Sequence, residues 1–491
     1  GADLRMDLFE KIQQFSFQNI DNFSTGSLIT RLTNDITQIQ NMIMMTLRMC
    51  LRSPGILIGA MVMAFVISPK LAAIFIIVLP VLAVLIVVIM RRAFPQFRTL
   101  QEKLDALNSC IQEGLVGIRL IKSFVRGDYE EMRFEKRNQQ LKEANLTAMK
   151  TMLLYTPLMT LALNITTVVV VWSGGNMIVA GNMQVGDLTA FTNYIVQIMS
   201  SLTMLSIAFL NWARAIASFH RVGEVLDEKI DLTDENAKHK DRAVCEGSVE
   251  FQNVSFRYYK NSPEWVIENI SFKLEAGKTL GIIGSTGSGK STLVSMIPRL
   301  YDTDEGTVLV DGINVRDYGL KPLREGIGMV LQNNTLFSGS ITENLKWGDE
   351  HADEKAVRKA AQNAQAAGFI DSFKDGYRTR LEQSGNNVSG GQKQRLCIAR
   401  ALLKCPKILI LDDSTSAVDT ATDRAIREAL HSEYKDMTKI IIAQRIRSVM
   451  DADEILVLDN GKTAGFGTHE QLLADCPVYR EIYDVQNRRE E

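Results

Sequence analysis

The chain has 491 residues, and it carries 55 basic and 57 acidic side chains. This near balance, a formal net charge of −2, excludes a nucleic-acid-binding protein that relies on a large excess of positive charge. The long uncharged apolar runs all lie before about residue 215, and the rest of the chain alternates as in a soluble α/β protein. The sequence therefore predicts a membrane half joined to a soluble half.

Four stretches are apolar enough to cross a bilayer, which takes about 20 apolar residues per helix. They are residues 52–69, 71–90, 151–181 and 188–213. The alternative, buried helices of a soluble protein, is disfavoured by runs this long without charge. Beyond Arg52 at the edge of the first stretch, these spans contain no Asp, Glu, Lys or Arg. This argues against a proton relay built from carboxylates within the membrane.

The segment between the second and third spans contains twelve Lys or Arg residues at positions 91–150, so the positive-inside rule places it in the cytoplasm. Its apolar residues recur at helical spacing, which predicts membrane helices that continue far into the cytoplasm. We expect a membrane domain over residues 1–222, a polar linker over 223–246 and a second domain over 247–491.

The six cysteines lack CxxC spacing, which argues against a zinc site and a disulfide scaffold.

A glycine-rich segment follows an apolar strand and precedes a helical run, the context in which the pattern GxxxxGK(S/T) forms a phosphate-binding loop. Its glycines let backbone N–H groups turn inward around phosphate oxygens, and the helix N-terminus adds its dipole. Lys290 supplies a positive charge to the β- and γ-phosphates, and Ser291 offers a hydroxyl to Mg²⁺. The predicted nucleotide-binding residues of this loop are Gly284, Ser285, Thr286, Gly287, Ser288, Gly289, Lys290, Ser291 and Thr292.

Two further motifs complete the predicted nucleotide chemistry. A strand of sequence KILILD ends at Asp412, and a buried strand that delivers a carboxylate to the Mg²⁺ shell is what a Walker B element requires. Ser389, Gly390, Gly391 and Gln392 open a helix, which makes a second anion site. Since one nucleotide does not need two such sites in one chain, we expect two chains to face each other head to tail.

With these motifs in place, the chain resembles an ABC exporter half-transporter over essentially its whole length. The resemblance implies a multidomain fold, in which an all-α polytopic transmembrane domain with long cytoplasmic helical extensions precedes an α/β P-loop NTPase domain. It also implies that Tyr258 stacks on adenine, that Gln332 contacts Mg²⁺ and the attacking water, and that residues 416–419 form the D-loop. The segments around 25–35 and 114–124 resemble its two coupling helices.

The resemblance further implies ATP and Mg²⁺ as cofactors, with Ser291, Gln332 and Asp412 around the metal. It implies a second half-transporter as partner, the lipid bilayer as surroundings, a transported small molecule and no nucleic acid. It places the chain in a bacterial inner membrane, with the nucleotide-binding domain in the cytoplasm. Because the family has six spans in each half, we also expect two further spans before the first residue of this sequence.

Three positions depart from the family pattern. Asp413 follows Asp412 where the family has the glutamate that acts as catalytic base, and Gln444 replaces the switch histidine. The loop before Ser389 reads EQSG over 382–385, where the family favours GERG. Together with Gln332, Asp413 and Gln444 make up the predicted catalytic set. We therefore expect a degenerate site that binds ATP and hydrolyses it poorly, in a heterodimer whose partner supplies glutamate and histidine.

Other interpretations stay open at this level. The chain could be a homodimeric exporter with a working site based on Asp413, or a membrane sensor that uses nucleotide state without transport. A soluble ABC ATPase is disfavoured by the four spans. Uncharged spans favour small amphipathic or hydrophobic compounds as substrate, and lipids and peptides remain alternatives.

Overall fold

The computed structural model describes the backbone of residues 1–260 and 262–487, and within these ranges the side chains except at positions 48, 50, 206–214 and 487. The described chain divides into two compact units. The first contains Gly1–Glu10 and Gly26–Asp227, and the second contains Lys11–Thr25 and the residues from Glu228 onward. The short segment 11–25 therefore belongs with the second half of the chain.

Helices α1 to α10 precede the first strand. Their bounds are α1 Ala2–Gln13, α2 Phe17–Asn22, α3 Thr25–Thr30, α4 Ile36–Met45, α5 Arg52–Ile67, α6 Pro69–Val116, α7 Ile118–Ser123, α8 Gly127–Leu153, α9 Tyr155–Val179 and α10 Val185–Asp227. Two adjacent residues determine where α6 begins. The Ser68 side chain accepts a hydrogen bond from the Leu71 N–H, and Pro69 has no N–H that needs a partner in the first turn. At 48 residues, α6 extends well beyond the thickness of a bilayer, as predicted for a cytoplasmic extension.

The predicted spans fall on these helices. Among the described residues, α6 and the run Gly127–Val179 are long and apolar enough to cross a membrane. They contain the predicted span 71–90 and all but the last two residues of the predicted span 151–181. The predicted span 52–69 corresponds to α5, an apolar helix of 16 residues. The predicted span 188–213 lies in α10, but its side chains from position 206 are outside the described residues. The number of spans therefore stays a prediction.

Buried apolar side chains hold the membrane helices together. Phe75 of α6 stacks on Phe191 of α10 with 5.5 Å between ring centroids, and both side chains are buried. Ala60 and Ala64 of α5 are also buried, and such small residues let helices approach closely in a membrane. Other large apolar side chains of the same helices are exposed, Trp172 at 75% for example, as expected for helices that face lipid.

The described residues of the second unit form twelve short strands. They are β1 Val249–Phe256, β2 Ile267–Leu274, β3 Thr279–Gly284, β4 Glu305–Val310, β5 Ile313–Asn314, β6 Ile327–Val330, β7 Gly339–Ser340, β8 Arg380–Leu381, β9 Ile408–Asp412, β10 Thr438–Ile442, β11 Glu454–Asp459 and β12 Lys462–Gly467. Strands β2-β1-β4-β5 form an antiparallel sheet, β12-β11-β3-β10-β9-β6 form a larger sheet, and β7 pairs with β8.

Nine helices are described in the second unit after β3. They are α11 Lys290–Ser295, α12 Leu320–Glu325, α13 Ile341–Leu345, α14 Glu354–Asn363, α15 Ala367–Ser372, α16 Gly390–Leu403, α17 Thr420–Glu433, α18 His469–Asp475 and α19 Pro477–Asn487. Helix α11 ends at Ser295, and turns follow it.

The larger sheet brings the predicted motifs to one edge. Strands β11, β3, β10, β9 and β6 run parallel, and their registers align Ile282 with Ile442, Ile442 with Asp412, and Val330 with Leu411. Strand β9 is buried along its whole length, as expected for a central parallel strand. Since ligands bind beyond the carboxyl ends of parallel strands, this edge is where the site is expected.

The structure corrects the predicted position of the first coupling segment. We placed it around 25–35, whereas α2, at residues 17–22, is the short helix that belongs with the second unit. Its Asn19 side chain donates to Glu228 Oε1 at 3.1 Å and to the Lys229 carbonyl at 3.0 Å. The local cause is a capping box between Ser16 and Asn19, which starts a new helix there.

The second predicted coupling segment, 114–124, spans the end of α6 and all of α7. Its apolar side chains are largely exposed, Val116 at 82% and Phe124 at 69% for example. Helix α10 continues to Asp227, so the predicted linker 223–246 begins within that helix. The helix continues because no glycine after Gly223 and no proline interrupts it.

Candidate functional site

The loop between β3 and α11 has the tight course that phosphate binding requires. A Cβ atom on Gly284 would lie 2.1 Å from the Leu458 carbonyl oxygen, so this position accepts only glycine. Gly289 has φ of +89°, and a Cβ there would lie 2.6 Å from the side chain of Ile267. Ser288 is buried, whereas the tip of the loop, residues 285–287, is exposed. The glycines thus bring the backbone close to whatever occupies this edge.

Lys290 folds over the loop that precedes it. Its Nζ donates to the carbonyl oxygens of Gly284 at 2.9 Å and Ser285 at 2.7 Å. Burial lowers the pKa of Lys290, and the nearby charges of Asp413 and Asp412 oppose that effect. The ammonium group is therefore positioned between the loop and two carboxylates, where an anionic phosphate would be favourable.

Ser291 and Asp412 meet beside the loop. The Ser291 hydroxyl donates to Asp412 Oδ1 at 2.9 Å, and Asp412 is only 3% exposed. Burial raises the pKa of Asp412, and so does the charge of Asp413, while the hydrogen bond from Ser291 lowers it. A neighbouring cation would stabilise the ionised form of a carboxylate buried in this environment.

The Ser291 and Asp412 oxygens fit Mg²⁺. Two neighbouring ligands of an octahedral Mg²⁺, each at about 2.0–2.1 Å, lie about 2.9 Å apart, which is the observed separation. Among the described residues no group of three or more His, Cys, Asp or Glu side chains could hold a metal. A Mg²⁺ ion held by one carboxylate, one hydroxyl and substrate phosphates is consistent with both observations.

Asp413 and Gln444 form a direct hydrogen bond across the ends of β9 and β10. Gln444 Nε2 donates to Asp413 Oδ2 at 2.7 Å. Asp413 has a φ of +48°, and its N–H donates to the Ile442 carbonyl at 3.1 Å. Burial raises the pKa of Asp413, and the Gln444 bond and the Lys290 charge lower it. The two positions that depart from the family pattern therefore contact each other.

Tyr258 lies beside the start of α11. Its hydroxyl is hydrogen-bonded to the Thr292 hydroxyl at 2.8 Å, and its ring packs edge-on against Phe256 and Tyr301. Tyr259 next to it is 77% exposed, compared with 37% for Tyr258. Of the two tyrosines, Tyr258 is thus the one that the fold holds against the phosphate-binding loop.

Gln332 lies in the loop after β6, the strand next to β9, and it is exposed. The parallel register aligns Val330 with Leu411. The loop that contains Gln332 therefore begins beside the strand end that carries Asp412. The structure brings Gln332 to the same edge of the sheet, where its side chain is accessible to solvent.

The helix α16 begins with the predicted signature residues. Ser389 caps the helix, and its side chain and that of Gln392 satisfy each other's backbone N–H groups. Ser389 and Gly390 are exposed, so this helix start is open to an approaching molecule. A Cβ on Gly391 would lie 2.8 Å from the Ala417 carbonyl oxygen, whereas one on Gly390 would make ordinary contact with Ala417 Cβ at 3.6 Å.

The sequence analysis missed Gln394, which connects the signature helix to the predicted D-loop. Its side chain donates to Ser416 Oγ at 3.2 Å and accepts from the Ala417 N–H at 3.0 Å. Gln394 is 6% exposed. Glutamine in the first turns of a helix carries no local signal of such a contact, since its partners lie more than twenty residues further along the chain.

Comparisons with known proteins identify the family to which the chain is related. Residues 1–202 match the family described as ABC transporter transmembrane region, and residues 267–416 match the family described as ABC transporter. The chain is 42% identical over 488 residues to the uncharacterized ABC transporter ATP-binding protein YfiB of Bacillus subtilis, covering 99% of this chain and 84% of the relative. It is 36% identical over 492 residues to the putative multidrug export ATP-binding/permease protein YgaD of the same organism, covering 99% and 83%.

A solved structure has the same fold. A bacterial Atm1-family ABC exporter with ATP bound superposes with a TM-score of 0.85 at 26% identity, covering 99% of this chain and 84% of that one. The predicted resemblance and fold class are confirmed by these matches. The chain belongs to the ABC transporters: it is an integral membrane half-transporter, in which a helical transmembrane region is fused to an ABC-type ATPase domain that drives transport.

Proposed function

We propose that this chain binds MgATP at a degenerate site and serves as one subunit of a heterodimeric exporter. The loop 284–292 would hold the phosphates, Lys290 would contact the β- and γ-phosphates, and Tyr258 would stack on adenine. Ser291 and Asp412 would hold Mg²⁺, with Gln332 reaching the ion and the attacking water. Bound Mg²⁺ would neutralise charge on the phosphate oxygens.

The hydrogen bond between Gln444 and Asp413 is the observation that supports a degenerate site. A catalytic base must take a proton from water, and the hydrogen bond that the Gln444 amide donates to Asp413 Oδ2 at 2.7 Å lowers the basicity of that carboxylate. The aspartate is also shorter than a glutamate by one methylene, which displaces the carboxylate by roughly 1.5 Å. A glutamine at 444 can contact a γ-phosphate but has no titrating proton. These features favour ATP binding over hydrolysis.

The exposed signature helix supports a role at a second site. Two nucleotide-binding domains that face head to tail would place Ser389 to Gln392 over the nucleotide of the partner, which would supply its own glutamate and histidine. The Gln394 bridge would then transmit a change at the signature to the D-loop, because both its hydrogen bonds end there. Closure of the two domains would switch the transmembrane cavity outward.

A homodimer with a working site is the second candidate, and one observation favours it. Burial raises the pKa of Asp413, and a carboxylate with a raised pKa is a better general base. In this case Asp413 would orient the water and Gln444 would hold the carboxylate in place. The two candidates differ in the rate that Asp413 should support.

We propose small amphipathic or hydrophobic compounds as the exported substrate, with lipids and peptides as alternatives. The support is chemical: residues 71–90 and 151–181 contain no acidic or basic side chain, so the helices offer little to bind a strongly charged solute. ATP-dependent uptake into inside-out vesicles, compared for a hydrophobic cationic dye, a fluorescent phospholipid and a short peptide, would distinguish the three classes.

The decisive experiment compares two substitutions in the complex purified with its partner subunit. Gly390→Asp would bring a negative charge to the signature without the clash expected at Gly391, and it should abolish most steady-state ATPase. Asp413→Asn should change that ATPase activity little, because the nucleotide site that contains Asp413 contributes little to the hydrolysis of the complex. A loss with Asp413→Asn as large as that with Gly390→Asp would refute the degenerate site and support the homodimer with an Asp413 base.

A further inference from the structure

The C-terminal helix α19 contacts the loop that carries Gln444. The Gln486 side chain lies across this loop: its Nε2 donates to the Gln444 carbonyl at 2.8 Å, and its Oε1 accepts from the Ile446 N–H at 2.8 Å. One primary amide therefore satisfies a carbonyl and an N–H two residues apart, as a neighbouring strand would. This pairing needs a donor and an acceptor side by side on one planar group, as a primary amide provides.

The other end of α19 is fixed in the core. Tyr479 is fully buried, and its hydroxyl is hydrogen-bonded to His469 Nδ1 at 2.7 Å. It lies in an apolar cluster that also contains Ile283, Ala443 and Ile446. Ile283 precedes the phosphate-binding loop, and Ala443 precedes Gln444. The helix is therefore anchored to the same cluster that supports both loops of the site.

The Gln444 loop is otherwise open on one side. A cleft of about 600 Å³ is lined by Asp413, Ser416, Gln444, Arg445, Tyr483 and Gln486, among others. Gln444 itself is exposed. With solvent on this side, the two hydrogen bonds of Gln486, beside the packing of Ile446 in the apolar cluster, hold the backbone of residues 444–446 toward α19, while the Gln444 side chain extends to Asp413.

We infer that Gln486 is a positioning residue for Gln444, and that α19 thereby sets how well the site distinguishes ATP from ADP. The inference rests on the proposed function, in which the Gln444 amide contacts the γ-phosphate. Because Gln486 of α19 holds the backbone at 444, the Gln444 amide is already ordered before nucleotide binds. The side chain therefore loses less conformational entropy when it contacts the γ-phosphate. ADP lacks the γ-phosphate, and its affinity is independent of this order.

The test measures ATP and ADP dissociation constants of the purified full-length chain with Mg²⁺, by competition with a fluorescent nucleotide. Gln444→Ala should lower the preference for ATP over ADP by about tenfold, the effect of one hydrogen bond to a charged group. Gln486→Leu removes both bonds to the loop and should lower the preference by up to about tenfold, with ADP affinity unchanged. Gln486→Glu keeps the acceptor for Ile446 and should lie between wild type and Gln486→Leu.

The control is Glu481→Leu, which introduces the same side chain at an exposed position of α19 and should leave the preference unchanged. Equal losses of ATP and ADP affinity in Gln486→Leu would show a merely structural role and overturn the inference. So would an unchanged preference in Gln486→Leu when Gln444→Ala lowers it. If Gln444→Ala has no effect, the inference fails while ATP binding stands; if the wild-type chain binds no ATP, the proposed function itself fails.

Discussion

Restoring a longer base at position 413 separates a degenerate site from a working one. Asp413 Oδ2 lies 2.7 Å from Gln444 Nε2, and a glutamate carboxylate reaches roughly 1.5 Å further. The longer side chain would meet the Gln444 amide where that amide now lies, so position 444 is changed as well. We therefore consider the double substitution Asp413→Glu/Gln444→His, which replaces the hydrogen-bonded pair by a long carboxylate and a titratable imidazole.

The size of the effect follows from the displacement. Misplacing a catalytic group by about 1 Å can cost on the order of 10²-fold in rate, and a positioned general base contributes about 10²–10⁴-fold. Correcting a displacement of roughly 1.5 Å should therefore raise turnover at this site by about 10²-fold. That gain corresponds to about 2.7 kcal/mol of activation free energy.

The assay needs a low background, because the partner's site would dominate the ATPase of the heterodimer. Gly390→Asp in this chain supplies it, since the signature serves the partner's site and leaves this chain's own loop intact. Phosphate release is then compared for Gly390→Asp alone, with Asp413→Glu added, and with both Asp413→Glu and Gln444→His added. We expect a small gain from Asp413→Glu and the full gain from the double substitution.

The reasoning would be refuted by a double substitution that stays at the Gly390→Asp background. A homodimer gives that result, because Gly390→Asp would then be present in both composite sites. High ATPase of the chain purified without any partner, abolished by Asp413→Asn, would lead to the same conclusion.

Three further predictions concern single side chains. Tyr258→Ala should weaken ATP binding by roughly 1–3 kcal/mol, the scale for base–aromatic stacking, and an equal loss from Tyr259→Ala in equilibrium binding would contradict the assignment. Asp412→Asn should weaken ATP binding about tenfold or more when Mg²⁺ is present but not in EDTA; equal losses in both would exclude a metal ligand. Pairing with Arg221 holds the pKa of Asp35 below its usual value. The pair stabilises the folded state fully when the pH is above the pKa of Asp35 in the unfolded chain. This stabilisation is lost as the pH falls through the lower pKa of Asp35 in the folded chain. Asp35→Ala should lower the free energy of unfolding at neutral pH by roughly 1–3 kcal/mol and remove that acid dependence, measured by thermal denaturation in detergent.

Much of this protein could be predicted from local sequence. The uncharged apolar run 71–90 predicts a membrane helix because a bilayer offers no partner for charges. The loop 284–292 is predicted by its GxxxxGK(S/T) pattern between an apolar strand and a helical run. The helix cap at Ser389 and the strand that ends at Asp412 are likewise predicted by a few adjacent residues. The comparisons confirm the family and the fold class that these motifs predict.

Other features depend on contacts between residues far apart in the chain, and only the tertiary structure decides them. The coupling segment was misplaced because Asn19 finds its partners at Glu228 and Lys229, about two hundred residues away. Asp413 and Gln444 each depart from the family pattern, but their hydrogen bond exists only because β9 and β10 lie side by side. Gln486 belongs to no motif. A polar residue on an amphipathic helix is ordinarily solvated, so the local sequence gives no sign that it contacts another loop. Its role depends on the register of α19 against the Gln444 loop, which is set by the packing of Tyr479 in the core rather than by any local pattern.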